Sequence, residues 1–203
     1  MKKLIFSLIL LILLPLATNS ADILTTVRGR IVLQVEENGE AWYINPLDDY
    51  RYYMGRPQDA FNLMRHFGLG ITNANLNKIP IGLIAQSGQD TDKDGLVDLL
   101  EIAIKTNIYS KDTDNDGYDD KTEVSNWYDP AGPNKLPVDT KLVNQLRGRI
   151  LLQVQTNGEA WYVSPADGKR YFLGRPEHAF EIMRNLGLGI TNADLEKIPI
   201  SNF

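Results

Sequence analysis

"RGRIVLQVEENGEAWYINPLDDYRYYMGRPQDAFNLMRHFGLGITNANLNKIPI" runs from Arg28 to Ile81, and "RGRILLQVQTNGEAWYVSPADGKRYFLGRPEHAFEIMRNLGLGITNADLEKIPI" from Arg147 to Ile200. The offset is 119 residues without a gap, and 36 of 54 positions are identical. The chain is one small module written twice around a different middle, and any fold must satisfy both copies.

Within a copy, Arg30 to Glu36 alternates apolar and polar residues, the period of a strand. Asn38-Gly39 reads as a type I′ hairpin turn, and Glu40 to Asn45 as the returning strand, ended by Pro46. A third strand is expected over Arg51 to Met54. Pro57 suits the first turn of a helix, along which Ala60, Phe61, Met64 and Phe67 fall at helical spacing. Gly68 is expected as a left-handed cap, and Thr72 as the cap of one more short turn. The expected class is α+β: two duplicated modules, each a three-stranded antiparallel meander plus a helix, over 25–85 and 144–203. About 55 residues make a marginal domain, so packing between the copies or against the middle is expected to support each one.

The middle, 86–133, has a different chemistry. "DTDKDGLVDLLE" begins at Asp90 and "DTDNDGYDDKTE" at Asp112. Asp90, Asp92, Asp94, Leu96, Asp98 and Glu101 occupy positions 1, 3, 5, 7, 9 and 12 of the first loop. Asp112, Asp114, Asp116, Tyr118, Asp120 and Glu123 occupy the same positions of the second, and Gly95 and Gly117 stand at position 6. That is the ligand spacing of an EF-hand loop, in which alternate carboxylates, one main-chain carbonyl and a bidentate glutamate hold a hard cation. A solvated acidic linker would need charge but no such spacing. Two Ca²⁺ are expected; Mg²⁺, which demands stricter octahedral geometry, is the lesser competitor.

"DTDKDGLVDLLEIAIKTNIYSKDTDNDGYDDKTEVSNWYDP", Asp90 to Pro130, resembles the bacterial thrombospondin type 3 repeat. That resemblance implies calcium-binding loops in a secreted or cell-surface protein. The chain departs from the family's usual "TDP" at Thr106-Asn107-Ile108. The flanking module is similar to uncharacterised repeats of exported bacterial proteins, which implies no chemistry.

Charge divides along the same lines. Residues 88–130 hold twelve Asp and Glu against four Lys, a net charge of −8, while 21–87 and 131–203 together come to +1. No basic stripe stands out, so nucleic acid is not an expected partner. The opening "MKKLIFSLILLILLPLATNSAD" pairs two lysines with an apolar run of thirteen residues and small residues before Ala21. It reads as a signal peptide over 1–20, too short for the ~20 apolar residues of a membrane span, so the mature chain is expected outside the cell with no transmembrane segment. There is no cysteine to form a disulfide or carry a lipid.

Catalysis is not expected. His66 and His178 fall at non-equivalent positions of the copies, there is no G-x-S-x-G, and Gly68-Leu69-Gly70 lacks the rest of a dinucleotide fingerprint. Glu40 with Asp48, and Glu159 with Asp167, sit at hairpin turns, where carboxylates are ordinary. A binding role is the leading expectation. Trp42 and Ile44 are read as inward with Ile31, Leu33 and Val35. Arg51, Tyr43 and Tyr53, with Arg170, Tyr162 and Phe172, would then form an outward aromatic and cationic strip for a glycan, peptidoglycan or surface protein. Alternatively these aromatics pack under the helix or against the other copy. The functional expectation is a secreted, non-enzymatic adhesion or structural protein with two binding modules on a calcium-stiffened linker. The alternative is an accessory subunit or catalytic member of a cell-wall glycan-processing system.

Overall fold

The computed structural model describes residues 20–201, so the expected signal segment, apart from Ser20, lies outside the described residues. The class is α+β, with two four-stranded sheets. Helix α1 (Ser20–Val27) leads into β1 (Ile31–Gln34), β2 (Ala41–Ile44), β3 (Arg51–Tyr53) and helix α2 (Pro57–Phe67). Then come β4 (Leu69–Ile71) and the short α3 (Asn73–Leu76), capped by Thr72, whose side chain accepts from the Asn75 amide. The middle contributes α4 (Asp98–Ile104) and α5 (Asp120–Asn126). The second copy repeats the first with α6 (Thr140–Leu146), β5 (Ile150–Gln153), β6 (Ala160–Val163), β7 (Arg170–Phe172), α7 (Pro176–Leu186), β8 (Leu188–Ile190) and α8 (Asn192–Leu195).

The meander and its helix form as the pattern predicts, but neither sheet closes with its own residues. Strand β8 of the second copy lies parallel to β1 of the first, pairing Leu33 with Gly189. Strand β4 of the first lies parallel to β5 of the second, pairing Leu152 with Gly70. Each C-terminal segment then passes to the far edge of the sheet it has joined. The Arg51 amide donates to the Pro199 carbonyl (2.8 Å), and the Arg170 amide to the Pro80 carbonyl (2.8 Å). Each copy thus covers both edges of the other's three-stranded meander and leaves only the three-residue β4 and β8 as new outer strands, and short edges of this kind limit edge-to-edge aggregation. Where the copies cross, Gly29 and Gly148 meet backbone to backbone. A Cβ on Gly148 would lie 2.4 Å from the Gly29 Cα. Two buried phenols tie the crossing: Tyr43 donates to the Gly148 carbonyl (2.7 Å) and Tyr162 to the Gly29 carbonyl (2.8 Å). Burial raises the pKa of both phenols, which keeps them as donors.

Three local expectations are corrected. First, Asn38 does not take the positive φ that a type I′ turn requires; only Gly39 does. A two-residue turn there would set Ile44 opposite Leu33, whereas the longer loop sets Tyr43 opposite Ile31 and Trp42 opposite Val32. An odd slip of register turns every side chain to the other face. Tyr43, rather than Trp42, therefore shares the central core with Ile31, while Val35 is 62% exposed. Second, Gly68 is extended (φ −60°, ψ 115°) instead of left-handed. Its side-chain space is occupied by Leu152 of the other copy, so glycine permits a close approach there. Third, Gly68-Leu69-Gly70 is the entry to a strand as well as the end of a helix.

The central core joins Ile31, Tyr52 and Leu63 of one copy to Ile150, Tyr171 and Ile182 of the other, beneath α2 and α7. The outer face of the first sheet packs Val32 and Ile44 on Val27 of α1 and on Leu195 and Ile198. On the second sheet, Leu151, Trp161 and Phe172 meet Leu96, Leu100 and Val124 of the acidic middle, as well as Val143 and Leu146 of α6. Trp161 is consequently 0% exposed.

The join between first copy and middle is fixed by residues found in one copy only. His178 Nε2 lies 2.9 Å from the Ser87 carbonyl, Glu181 accepts from the Ser87 amide (2.9 Å), and Gln86 donates to the Phe172 carbonyl (2.9 Å). The first copy has Asp59 and Asn62 where the second has His178 and Glu181. Those two differences read as neutral drift in the sequence, and they hold the chain in place.

Candidate metal centre

The two acidic loops fold alike because the same short-range bonds recur in each. Asp90 accepts from the amides of Lys93 (2.7 Å) and Gly95 (3.1 Å), and Asp112 from those of Asn115 (2.7 Å) and Gly117 (2.9 Å). Asp92 accepts from the Asp94 amide (3.0 Å) and Asp94 from the Leu96 amide (2.6 Å), as Asp114 and Asp116 do from Asp116 and Tyr118 (3.1 and 2.9 Å). These bonds draw the three aspartates of each loop inward. One carboxylate oxygen from each of Asp90, Asp92 and Asp94 lies within 4.8 Å of the other two, and the same holds for Asp112, Asp114 and Asp116. Both triads could hold metal ions.

Position 9 has a second task in the fold. Asp98 accepts from the Thr91 amide and hydroxyl (both 2.8 Å), and Asp120 from the Thr113 amide and hydroxyl (2.8 and 2.7 Å). Both carboxylates clamp the loop entrance to the following helix, and Asp120 still feels the charges of Asp92 and Asp112. The threonine at position 2 of both loops was the signal for this, and it carries no metal-ligand chemistry of its own.

Position 12 is where the site is most demanding. Glu101 is 0% and Glu123 5% exposed. Among the described residues, Glu101 Oε2, Glu123 Oε2 and Asp92 Oδ2 are buried without a hydrogen-bond partner. Burial, followed by repulsion from Asp92 and Asp94, pushes the Glu101 carboxyl up to about 7. Burial, followed by repulsion from Asp116 and Asp114, pushes Glu123 up to about 7. Burial also raises Asp94 and Asp120. Ionised oxygens without donors are costly inside a protein, and one cation in each loop would satisfy them, Asp92 and Glu101 in the first and Glu123 in the second. The donor set of each loop fits such an ion: three aspartates, the Leu96 or Tyr118 carbonyl, and a glutamate. Every donor is oxygen, the chemistry of a hard cation.

The expected ligand strip is not formed. Tyr43, Tyr162, Arg170 and Phe172 are buried, and of the six residues Tyr53 (44%) is the one most open to solvent. The register change described above turns Tyr43 and Tyr162 into the central core. Arg51 lies over the Trp42 ring at 5.0 Å and donates to the Leu195 carbonyl (2.7 Å), while Arg170 lies over Trp161 at 4.5 Å. Burial brings Arg170 down to about 9. Arg28 pairs with Asp49 through two bonds (2.6 and 2.5 Å). These arginines, shared by both copies, serve the fold.

Comparison with protein-family models, with curated proteins and with solved structures finds no match to this chain. Among the described residues no helix is long and apolar enough to cross a membrane.

Proposed function

We propose that the chain binds two Ca²⁺ in its paired loops and acts outside the cell as a non-enzymatic adhesion or structural protein. The observation that carries this reading is the set of buried, donorless carboxylate oxygens on Asp92, Glu101 and Glu123, at EF-hand ligand positions. Calcium accepts six to eight oxygen ligands in flexible geometry, which suits two loops built from carboxylates and a carbonyl. Export is supported by the signal-like opening and by the resemblance of the middle to secreted calcium repeats. Millimolar calcium outside the cell suits affinities of about 10⁻⁴–10⁻³ M, typical of extracellular modules.

The calcium segment in this reading is a cover as much as a connector. Leu96 and Leu100 of the first loop and its helix, and Val124 of α5, share a core with Trp161 and Phe172. Neutralising the loops therefore secures one face of the second sheet. Isothermal titration of chelator-treated protein tests the reading: two calcium ions per chain are expected, with Mg²⁺ weaker. No calcium heat, or a preference for Zn²⁺, would overturn it.

A further inference from the structure

The two loops are equivalent in sequence but not in surroundings. The first is covered. Its Leu96 side chain is 2% exposed, and the Lys121 amide at the start of α5 donates to Asp94 (3.2 Å). The Lys121 ammonium crosses Gly95, where a Cβ would lie 2.2 Å from it, and Lys111 donates to the Lys93 carbonyl (2.8 Å). The second loop has no such cover. A Cβ on Gly117 would meet nothing within 4 Å, and Tyr118 is 63% exposed where Leu96 is buried.

A cleft of about 280 Å³ opens beside this second loop. Asp116 and Glu123 form its acidic side, Tyr118 and Tyr128 are aromatic walls, and Thr122 and Asn126 add a hydroxyl and an amide. Glu123 brings to it a buried carboxylate oxygen without a partner. The volume is near the ~300 Å³ lower end of small-molecule sites, room for a compact single-ring ligand. Tyr128 is 42% exposed, with Lys135 over its ring at 5.3 Å.

We propose that this cleft is a calcium-dependent saccharide site, in which sugar hydroxyls complete the coordination of the second loop's ion and the ring rests against Tyr118 and Tyr128. The inference rests on the calcium reading above. The second loop offers Asp112, Asp114, Asp116, the Tyr118 carbonyl and both oxygens of Glu123. Both oxygens of Asp120 accept from Thr113, and position 9 of such loops often reaches its ion through water. Six oxygens leave up to two positions free on an ion that accepts as many as eight. Neutral hydroxyl oxygens suit those positions better than carboxylates, because the segment carries −8 and two Ca²⁺ reduce this only to −4. Aromatic faces flanked by polar groups suit the mixed surface of a sugar ring. The cleft beside the first loop is larger, about 560 Å³, but its lining includes the Lys121 cation and neither an aromatic ring nor Glu101, so it offers no equivalent surface.

The test is retardation of the full chain on agarose carrying mannose, N-acetylglucosamine, galactose or fucose, with millimolar calcium and after EGTA. Calcium calorimetry is run on the same samples. Retardation on at least one matrix is expected, abolished by EGTA and by Asp114→Asn. Tyr128→Ala should weaken it about tenfold while leaving a two-ion calcium isotherm, and Tyr128→Phe should restore it. Two calcium ions without retardation on any matrix overturns the saccharide site and leaves the calcium reading standing. No calcium isotherm overturns both. Retardation that survives EGTA or Tyr128→Ala places the binding elsewhere. Calcium-dependent selection of a displayed peptide through Tyr128, with no sugar retained, assigns the cleft to a protein partner and overturns the proposal as well.

Discussion

Gly148→Ala strikes the point where the two copies cross. The new Cβ would lie 2.4 Å from the Gly29 Cα and 3.0 Å from its carbonyl oxygen. Holding alanine at φ 75° costs roughly 1–2 kcal/mol in the left-handed region. Carbon atoms pack at about 3.5–4.0 Å, so the segments must also separate by about 1 Å. The Tyr43–Gly148 bond, 2.7 Å long, would then exceed the range of a hydrogen bond. A buried hydroxyl left unsatisfied costs about 1–3 kcal/mol. The expected loss is therefore roughly 2–5 kcal/mol, a large part of the 5–15 kcal/mol typical of a native chain. Gly158→Ala is the control, since its φ is 85° but no atom lies within 4 Å of the added Cβ. It should lose only the conformational part. Urea unfolding with equal m-values isolates the difference, expected to be about 1–3 kcal/mol. Tyr43→Phe should also cost less in Gly148→Ala than in the parent chain, because the bond it removes is already broken. Equal losses for Gly148→Ala and Gly158→Ala, within about 0.5 kcal/mol, would refute the crossing and with it the exchange of strands.

The ion-free protein should be more stable in acid than at neutral pH. Glu101 and Glu123 hold protons up to about 7 when folded, against 4.5 for a glutamate free in water. Their stabilising contribution is complete below 4.5 and is lost as pH rises through 7, about 3 kcal/mol for each. Melting in EDTA at pH 5 and pH 8 measures this; a midpoint no lower at pH 8 would contradict it, and calcium should abolish the fall. Chelation at neutral pH should shift tryptophan emission to the red and expose 88–130 to protease, since Trp161 lies under the acidic segment; an unchanged spectrum would mean that packing alone holds the cover. The fragment 144–203 should form a dimer in solution, each copy lending its Leu188–Ile190 strand to the other, and a monodisperse folded monomer by light scattering would count against the exchange.

The parts of this molecule written in local spacing were legible in its sequence. The meander, the helix behind Pro57 and the Thr72 cap follow from residues within a few positions of one another. So do the two acidic loops, because a metal site of this kind is a list of ligands at fixed intervals. What escaped depends on distant or geometric facts. Leu69–Ile71 has too few residues and too much glycine to show a period, and its partner strand lies in the other copy. The face assignment of Tyr43 turned on whether Asn38 adopts positive φ, which Asn-Gly permits but does not compel. The clamp made by Asp98 and Asp120 was written in Thr91 and Thr113, which a search for ligands passes over. Helices α1 and α6 went unread although Ile23, Leu24 and Val27, like Leu142, Val143 and Leu146, repeat one apolar stripe.

The reciprocal strands also set a clock. Leu33 pairs with a glycine 156 positions further along, and Arg51 with a carbonyl at Pro199, so the first sheet cannot be finished until Pro199 has been made. At about 5–20 residues per second, the ribosome needs roughly 6–24 s to make the 119 residues between equivalent points. Throughout that interval the first copy carries two unpaired edges and half a core. Contacts so remote in sequence are slow to form in any case. The native state is therefore out of reach until both copies have been made, which leaves any factor that acts on unfolded chains a window of that length.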